Sequence, residues 1–207
     1  MSTEAEADTS PPLLGVCVLI TGAAGETGRD VARALSLMGA NLHLADTNET
    51  ALVEAVRAFR DDARGGIKLH ISDVAERVDV EVLAMDCEDA DILVHLSGDL
   101  AAADNDDLES DEAATRAWKQ RVLGGKMLAS GMDPDVTDKD RCLLVFPLFP
   151  DDGGLHPRMA NAALGALAQA LSESMPAVTA MAAAFESAEA IAENIRAWVL
   201  GETGKSG

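Results

Sequence analysis

Short apolar runs alternate along this chain with longer amphipathic ones. The short runs lie at 15–21 (GVCVLIT), 41–46 (NLHLAD), 67–72 (IKLHIS), 91–97 (DILVHLS), 142–147 (CLLVFP) and 177–185 (AVTAMAAAF). Between them, apolar residues recur at helical spacing near 27–38, 49–62, 75–86, 111–130, 158–173 and 187–200. Strands that are apolar on both faces belong in a sheet covered on both sides, and parallel neighbours need right-handed helical crossovers. The pattern predicts an α/β fold, a Rossmann-like doubly wound parallel sheet of about six strands inside a three-layer αβα sandwich. One helix departs from the amphipathic rule. Its stretch ANAALGALAQAL is small or apolar all round, broken only by Asn161 and Gln169. Such a helix is expected to lie between the sheet and a second subunit.

Composition narrows the picture. A chain of 207 residues, 48% hydrophobic and 25% charged, suits one domain with one sizeable core. A single domain is expected over 13–201, with mobile ends at 1–12 and 202–207. The 36 acidic and 16 basic residues give a formal charge of -20. That charge repels phosphate backbones and anionic membrane surfaces, so nucleic acid is excluded as an expected partner. No apolar run reaches the ~18 residues of a membrane span, and the opening MSTEAEADTS lacks the basic and apolar parts of a signal peptide. Cys17, Cys87 and Cys142 are odd in number and scattered, which fits reduced thiols and a cytoplasmic location. His43, His70, His95 and His156 fall one per strand or loop, without the paired spacing of ligands on one element, so no metal site is expected.

The stretch VLITGAAGETGRDVARALSLMGA sets Gly22, Gly25 and Gly28 between a strand and a helix. In that order the first Gly makes a tight turn, the second admits a pyrophosphate, and the third lets the helix pack on the strand with its N-terminus facing the anion. The competing reading is that these glycines only turn the chain. Asp46 ends the second strand 24 residues after Gly22, where a carboxylate can accept both ribose hydroxyls and repel a 2'-phosphate. It would favour NAD over NADP; its competing role is a helix N-cap or a wet strand end. Glu26 brings like charge to the pyrophosphate position, a repulsion of ~1 kcal/mol in a half-wet site. A loop filled by NAD and a loop without nucleotide stay open as equals.

With TGAAGETG, SDV (72–74), VHLSG (94–98) and the ANAALGALAQALS helix, the chain resembles the short-chain dehydrogenase/reductase family over nearly its whole length. The resemblance implies a cofactor set of Gly22, Gly25, Gly28 and Asp46, with Asp73 at the adenine and Gly98 at the fourth strand's end. In that family a Tyr gives a proton to the carbonyl oxygen, a Lys four residues on lowers its pKa, a Ser steadies the oxygen and an Asn holds a water relay. This chain contains no Tyr. Pro157 falls in the Tyr slot and Asn161 in the Lys slot. No Ser occurs from Gly131 to Leu171, and Gly124, Gly125 or Lys126 lies near the Asn slot. His95 replaces the first Asn at the fourth strand's end, and His156, beside the Tyr slot, reads as a surface or capping residue.

The resemblance therefore implies no catalytic residue and a chain that is not an enzyme on its own. It also implies truncation at the C-terminus, because 187–200 follows 177–185 directly where the family inserts a substrate lid and a seventh strand. The expected role is a non-catalytic subunit that joins an active family member, as heterodimer or heterotetramer, through helices 111–130 and 158–173. It would support that partner's structure or substrate site, as in the heteromeric hydroxyacyl-CoA dehydrogenase of benzylsuccinate β-oxidation. The alternative is a stand-alone NAD-binding sensor or regulatory protein.

Overall fold

A computed structural model describes residues 10–97, 112, 115–132, 140–148 and 155–202. Six strands form one sheet: β1 (Cys17–Thr21), β2 (Asn41–Asp46), β3 (Ile67–Ile71), β4 (Ile92–His95), β5 (Cys142–Pro147) and β6 (Val178–Ala183). Their order is β3-β2-β1-β4-β5-β6, and every neighbouring pair runs parallel. The doubly wound sheet expected from the sequence is present. Its strand order reverses between β1 and β4, which opens a crevice at the carboxyl ends of those strands.

The helices are α1 (Glu26–Leu37), α2 (Glu49–Arg57), α3 (Arg77–Asp86), α4 (Gly125–Gly131), α5 (Leu155–Ser174) and α6 (Ala188–Val199), with a π-helical segment at Lys119–Gly124 ahead of α4. Side chains alternate across the sheet into two cores. Val18, Ile20, Leu42, Leu44, Ile92 and Val145 meet α1, α2 and α6 on one face. Leu19, Leu93, Leu144 and Phe146 meet α3, α4 and α5 on the other. Burial of both faces makes β1, β4 and β5 unbroken apolar runs, and each Leu or Ile so removed from water contributes about 1.5–3 kcal/mol before entropy is counted.

Helix ends follow local chemistry. The sequence pattern ran the second helix to residue 62, but α2 stops at Arg57 and the chain continues in turns, with Phe59 N donating to Val56 O and Asp62 N to Phe59 O. Asp61 and Asp62 lie where the negative end of the helix dipole would repel them. In α5, Ala160, Leu164, Ala168 and Leu171 are buried at helical spacing, while Ala162, Gly165, Ala166 and Ala170 are exposed. The apolar helix thus lies on the sheet by one side and presents small residues on the other. No helix among the described residues is long and apolar enough to cross a membrane.

Candidate functional site

The crevice between β1 and β4 is floored by the glycine loop. Gly22 turns the chain off β1 at φ 70, a left-handed conformation costly for any other residue, and a Cβ there would sit 2.8 Å from the Leu96 carbonyl carbon. At Gly28 a Cβ would lie 2.2 Å from the Gly22 carbonyl oxygen, so only hydrogen lets α1 settle against the loop. Gly25 differs. It is the extended N-cap of α1, with no side chain capping the first amides, and a Cβ there would meet nothing nearer than Gly22 O at 3.4 Å. The loop is therefore open to solvent at the residue where a pyrophosphate would approach. Glu26, in the first turn, is exposed beside it.

Asp46 stands at the end of β2, beside that loop. Its Oδ2 accepts from Ala24 N at 3.1 Å and its Oδ1 from Asn48 N at 3.1 Å. The N-cap role weighed for it belongs to Asn48, whose Oδ1 accepts from Ala51 N at 3.0 Å. Asp46, Ser72, Ser97 and Gln120 line a small cavity of 110 Å³ behind Gly22. Asp73 turns elsewhere: Oδ1 accepts from Ala75 N at 3.0 Å and from Gln120 Nε2 at 3.1 Å, and Oδ2 pairs with Arg116. Gly98 lies outside the described residues, as do the side chains of His156 and Pro157.

On the other side of Gly22 a cavity of 680 Å³ runs to the ends of β5 and β6, lined by Gly25, Glu26, Arg121, Pro147, Phe185 and Ser187 among others. Arg121 is the residue that sequence reasoning missed. It lies in the π-helical segment, 2% exposed, with Nη1 donating to His95 O at 3.2 Å and Nη2 to Pro147 O. Its guanidinium thus bridges the ends of β4 and β5, and burial lowers its pKa to about 10. The expected neighbours of the Asn slot bring no side chain to this place. Lys126 is exposed, and at Gly125 a Cβ would sit 2.9 Å from the His95 ring.

His95 explains why the helix is wound loosely here. A π turn shifts the backbone ladder and leaves carbonyls to be satisfied from elsewhere. His95 Nε2 lies 2.9 Å from Gln120 O and 3.0 Å from Arg121 O, while Nδ1 faces the Thr21 hydroxyl at 2.7 Å. The ring therefore donates from Nε2 and accepts at Nδ1, a neutral tautomer. Burial, and then the charge of Arg121, push its pKa down to about 3. His95 is a buried strut of the site, not a proton carrier at neutral pH.

Two histidines that the sequence keeps apart meet on the α3 side of the sheet. His43 on β2 and His70 on β3 approach to 2.9 Å (Nδ1 to Nε2), and Cys87, which caps α3, brings Sγ to 3.2 and 3.7 Å of those nitrogens. Burial lowers the pKa of both rings despite nearby Asp89 and Asp86, so the 3.0 Å contact of His43 Nε2 with Asp89 is a hydrogen bond from a neutral ring to a carboxylate. Burial also pushes the Cys87 thiol up to about 12. The expectation of no metal site rested on spacing along the chain, which is blind to ligands on paired strands.

No protein-family model matches the chain, and no curated protein matches it in sequence. Solved structures do. A metagenomic short-chain oxidoreductase in complex with NADP is similar with a TM-score of 0.77 at 18% identity, over 91% of each chain. A short-chain dehydrogenase from Mycobacterium smegmatis is similar with a TM-score of 0.73 at 21% identity, over 93% of this chain and 89% of that one. A citronellol catabolism dehydrogenase from Pseudomonas aeruginosa PAO1 gives a TM-score of 0.70 at 20% identity, over 84% and 75% of the two chains. The expectation that this chain is not an enzyme on its own does not stand beside these neighbours, each a dehydrogenase or oxidoreductase. The fold is that of the short-chain dehydrogenases/reductases.

Proposed function

We propose that the chain is an oxidoreductase that binds NAD across the β1–β4 crevice and acts on a small carbonyl or hydroxyl compound in the 680 Å³ cavity. The observation that carries this reading is the glycine cradle. Gly22 and Gly28 have no room for a Cβ, whereas Gly25 stands open at an uncapped helix N-terminus, and Asp46 waits on the adenosine side. These residues fit a dinucleotide: the uncapped first amides of α1 would hold the pyrophosphate, and Asp46 the ribose hydroxyls. The same carboxylate favours NAD over NADP by repelling a 2'-phosphate. When bound, NAD supplies the site that gives or takes hydride.

The chain's own part is electrostatic. No tyrosine is available, so the charge that develops on a substrate oxygen is met by the guanidinium of Arg121, fixed between the ends of β4 and β5 in a low-dielectric wall. The proton that completes the alcohol then comes from water. Purified protein should oxidise NADH with at least one member of a carbonyl panel, and Arg121→Met should lower kcat by about 10²–10³-fold, as loss of an oxyanion donor does elsewhere. A hydroxyacyl-CoA thioester belongs on that panel, because the heteromeric relatives the sequence resembles act on one. Absence of turnover across the panel, or full turnover in Arg121→Met, contradicts the reading.

We further propose that the chain works as one subunit beside a related short-chain dehydrogenase/reductase chain, through the helices at 111–130 and 158–173. The exposed small residues Ala162, Gly165, Ala166 and Ala170 support this, because they allow a partner helix to approach closely. The buried cysteines Cys17, Cys87 and Cys142 fit a reducing compartment such as the cytoplasm. Native mass spectrometry of the protein from its own cells should show a second family member at fixed stoichiometry; a lone monomer contradicts the assembly.

A further inference from the structure

The cluster at the β2–β3 edge stands apart from the crevice, and its chemistry is unused by hydride transfer. Three of the commonest zinc-ligand atoms converge there: His43 Nδ1, His70 Nε2 and Cys87 Sγ, at mutual distances of 2.9, 3.2 and 3.7 Å. In a tetrahedral zinc site, bond lengths of about 2.3 Å to sulfur and about 2.0–2.1 Å to nitrogen separate ligand atoms by about 3.3–3.6 Å. The point equidistant from the three atoms lies about 1.9 Å from each, so an ion about 1 Å out of their plane reaches all three at about 2.1–2.2 Å. Small ring rotations complete the geometry.

The surroundings match as well. His43 Nε2 lies 3.0 Å from Asp89 Oδ1, and His70 Nδ1 lies 3.9 Å from Asp86 Oδ2. Asp89, at hydrogen-bond distance from His43 Nε2, favours the tautomer that turns the Nδ1 lone pair of His43 inward, toward His70 and the thiol. Without an ion, His70 Nε2 donates to that lone pair. An ion takes the place of this proton, which moves to His70 Nδ1 on the side of Asp86. Access is open on one side, since the His70 side chain is 14% exposed and Asp86 and Asp89 are more than half exposed.

We propose that His43, His70 and Cys87 form a zinc site, with Asp89 and Asp86 as orienting partners and the fourth position left to water. Binding displaces the thiol proton to solvent: the sulfur–metal bond replaces S–H, with no change of oxidation state. The ion ties edge strand β3 and the end of α3 to β2. This edge is poorly covered, with Ile71 and Met85 exposed, so a covalent-strength clip serves it structurally.

The test uses the full chain with no affinity tag, reduced and stripped with chelator, then titrated with Co²⁺ alone. The proposal expects a thiolate-to-cobalt charge-transfer band and the visible bands of tetrahedral cobalt, saturating at one ion per chain and displaced by Zn²⁺. Cys87→Ala should abolish the charge-transfer band, while Cys142→Ala, whose sulfur lies on β5, should keep it. Asp89→Asn should weaken the affinity about 10–100-fold with the spectrum retained. Should Cys87→Ala not fold, His70→Ala at the half-open edge should weaken cobalt binding at least 100-fold. No thiolate band at millimolar Co²⁺, or a band that survives Cys87→Ala, overturns the site. Nucleotide titration of the same samples reads the crevice separately, so failure of either site is told from failure of the other.

Discussion

Two glycines three residues apart should fail in different ways when each gains a methyl group. At Gly28 the new Cβ would sit 2.2 Å from Gly22 O and 2.8 Å from the Ala23 Cα, both backbone atoms that cannot rotate aside. The loop or α1 must move by about 1 Å, an overpacking penalty of about 1–3 kcal/mol. For a chain of this size, that lowers the melting temperature by roughly 2–12 °C. At Gly25 the new Cβ would meet only Gly22 O at 3.4 Å. Ala is the poorer N-cap by under about 1 kcal/mol, and reduced freedom of the unfolded chain offsets most of that. Stability should hardly change. The methyl would instead stand where the pyrophosphate approaches, and losing one charge-assisted hydrogen bond there weakens NAD by about 10–100-fold. Differential scanning calorimetry and isothermal titration with NADH separate the two outcomes. A Gly28→Ala protein that melts like the parent refutes the packing argument. A Gly25→Ala protein that melts like the parent and binds NADH equally well refutes the cradle.

Two further expectations concern charge. Asp46→Asn keeps one acceptor for Ala24 N or Asn48 N but removes the negative charge, so the preference for NADH over NADPH should shrink about tenfold in competitive titration; an unchanged ratio means that another group sets the preference. His95 holds its pKa near 3 in the fold against 6.5 when unfolded, so its stabilising contribution is complete above pH 6.5 and is lost as pH falls toward 3. Between pH 6.5 and 5, above the main carboxylate range, each such histidine adds up to about 1.4 kcal/mol of lost stability per pH unit. His43 and His70 act in the same direction, so His95→Gln should flatten the slope of stability against pH by up to one proton without abolishing it. Urea melts across that window check it, and an unchanged slope places the His95 ring in a charged state.

The strands were legible because burial of the central ones on both faces leaves mostly apolar residues in them: β2 and β5 match their apolar runs, and β1, β3, β4 and β6 fall within theirs. The glycine loop was legible for a similar reason, since few residue types tolerate φ 70 at Gly22 or the contact at Gly28. Arg121 was not. Its place depends on a π turn that no residue preference announces. A lone Arg followed by VLGG was the available signal. The histidine pair was hidden by register, because Ala45 pairs with His70 and His43 with Lys68 across a crossover that spacing along the chain cannot express. Asp73 shows the reverse case, a motif residue at the expected place whose carboxylate is taken up by Arg116, Gln120 and Ala75 N and does not line the small cavity.

Binding of a nicotinamide dinucleotide in the β1–β4 crevice, on the uncapped start of α1 and Asp46, is what everything proposed for the site requires. Isothermal titration of the full-length protein with NADH, repeated with NADPH, tests it most directly. Saturable one-to-one binding of NADH is expected, with NADPH at least tenfold weaker. No heat with either nucleotide, or binding that ignores the 2'-phosphate, contradicts it.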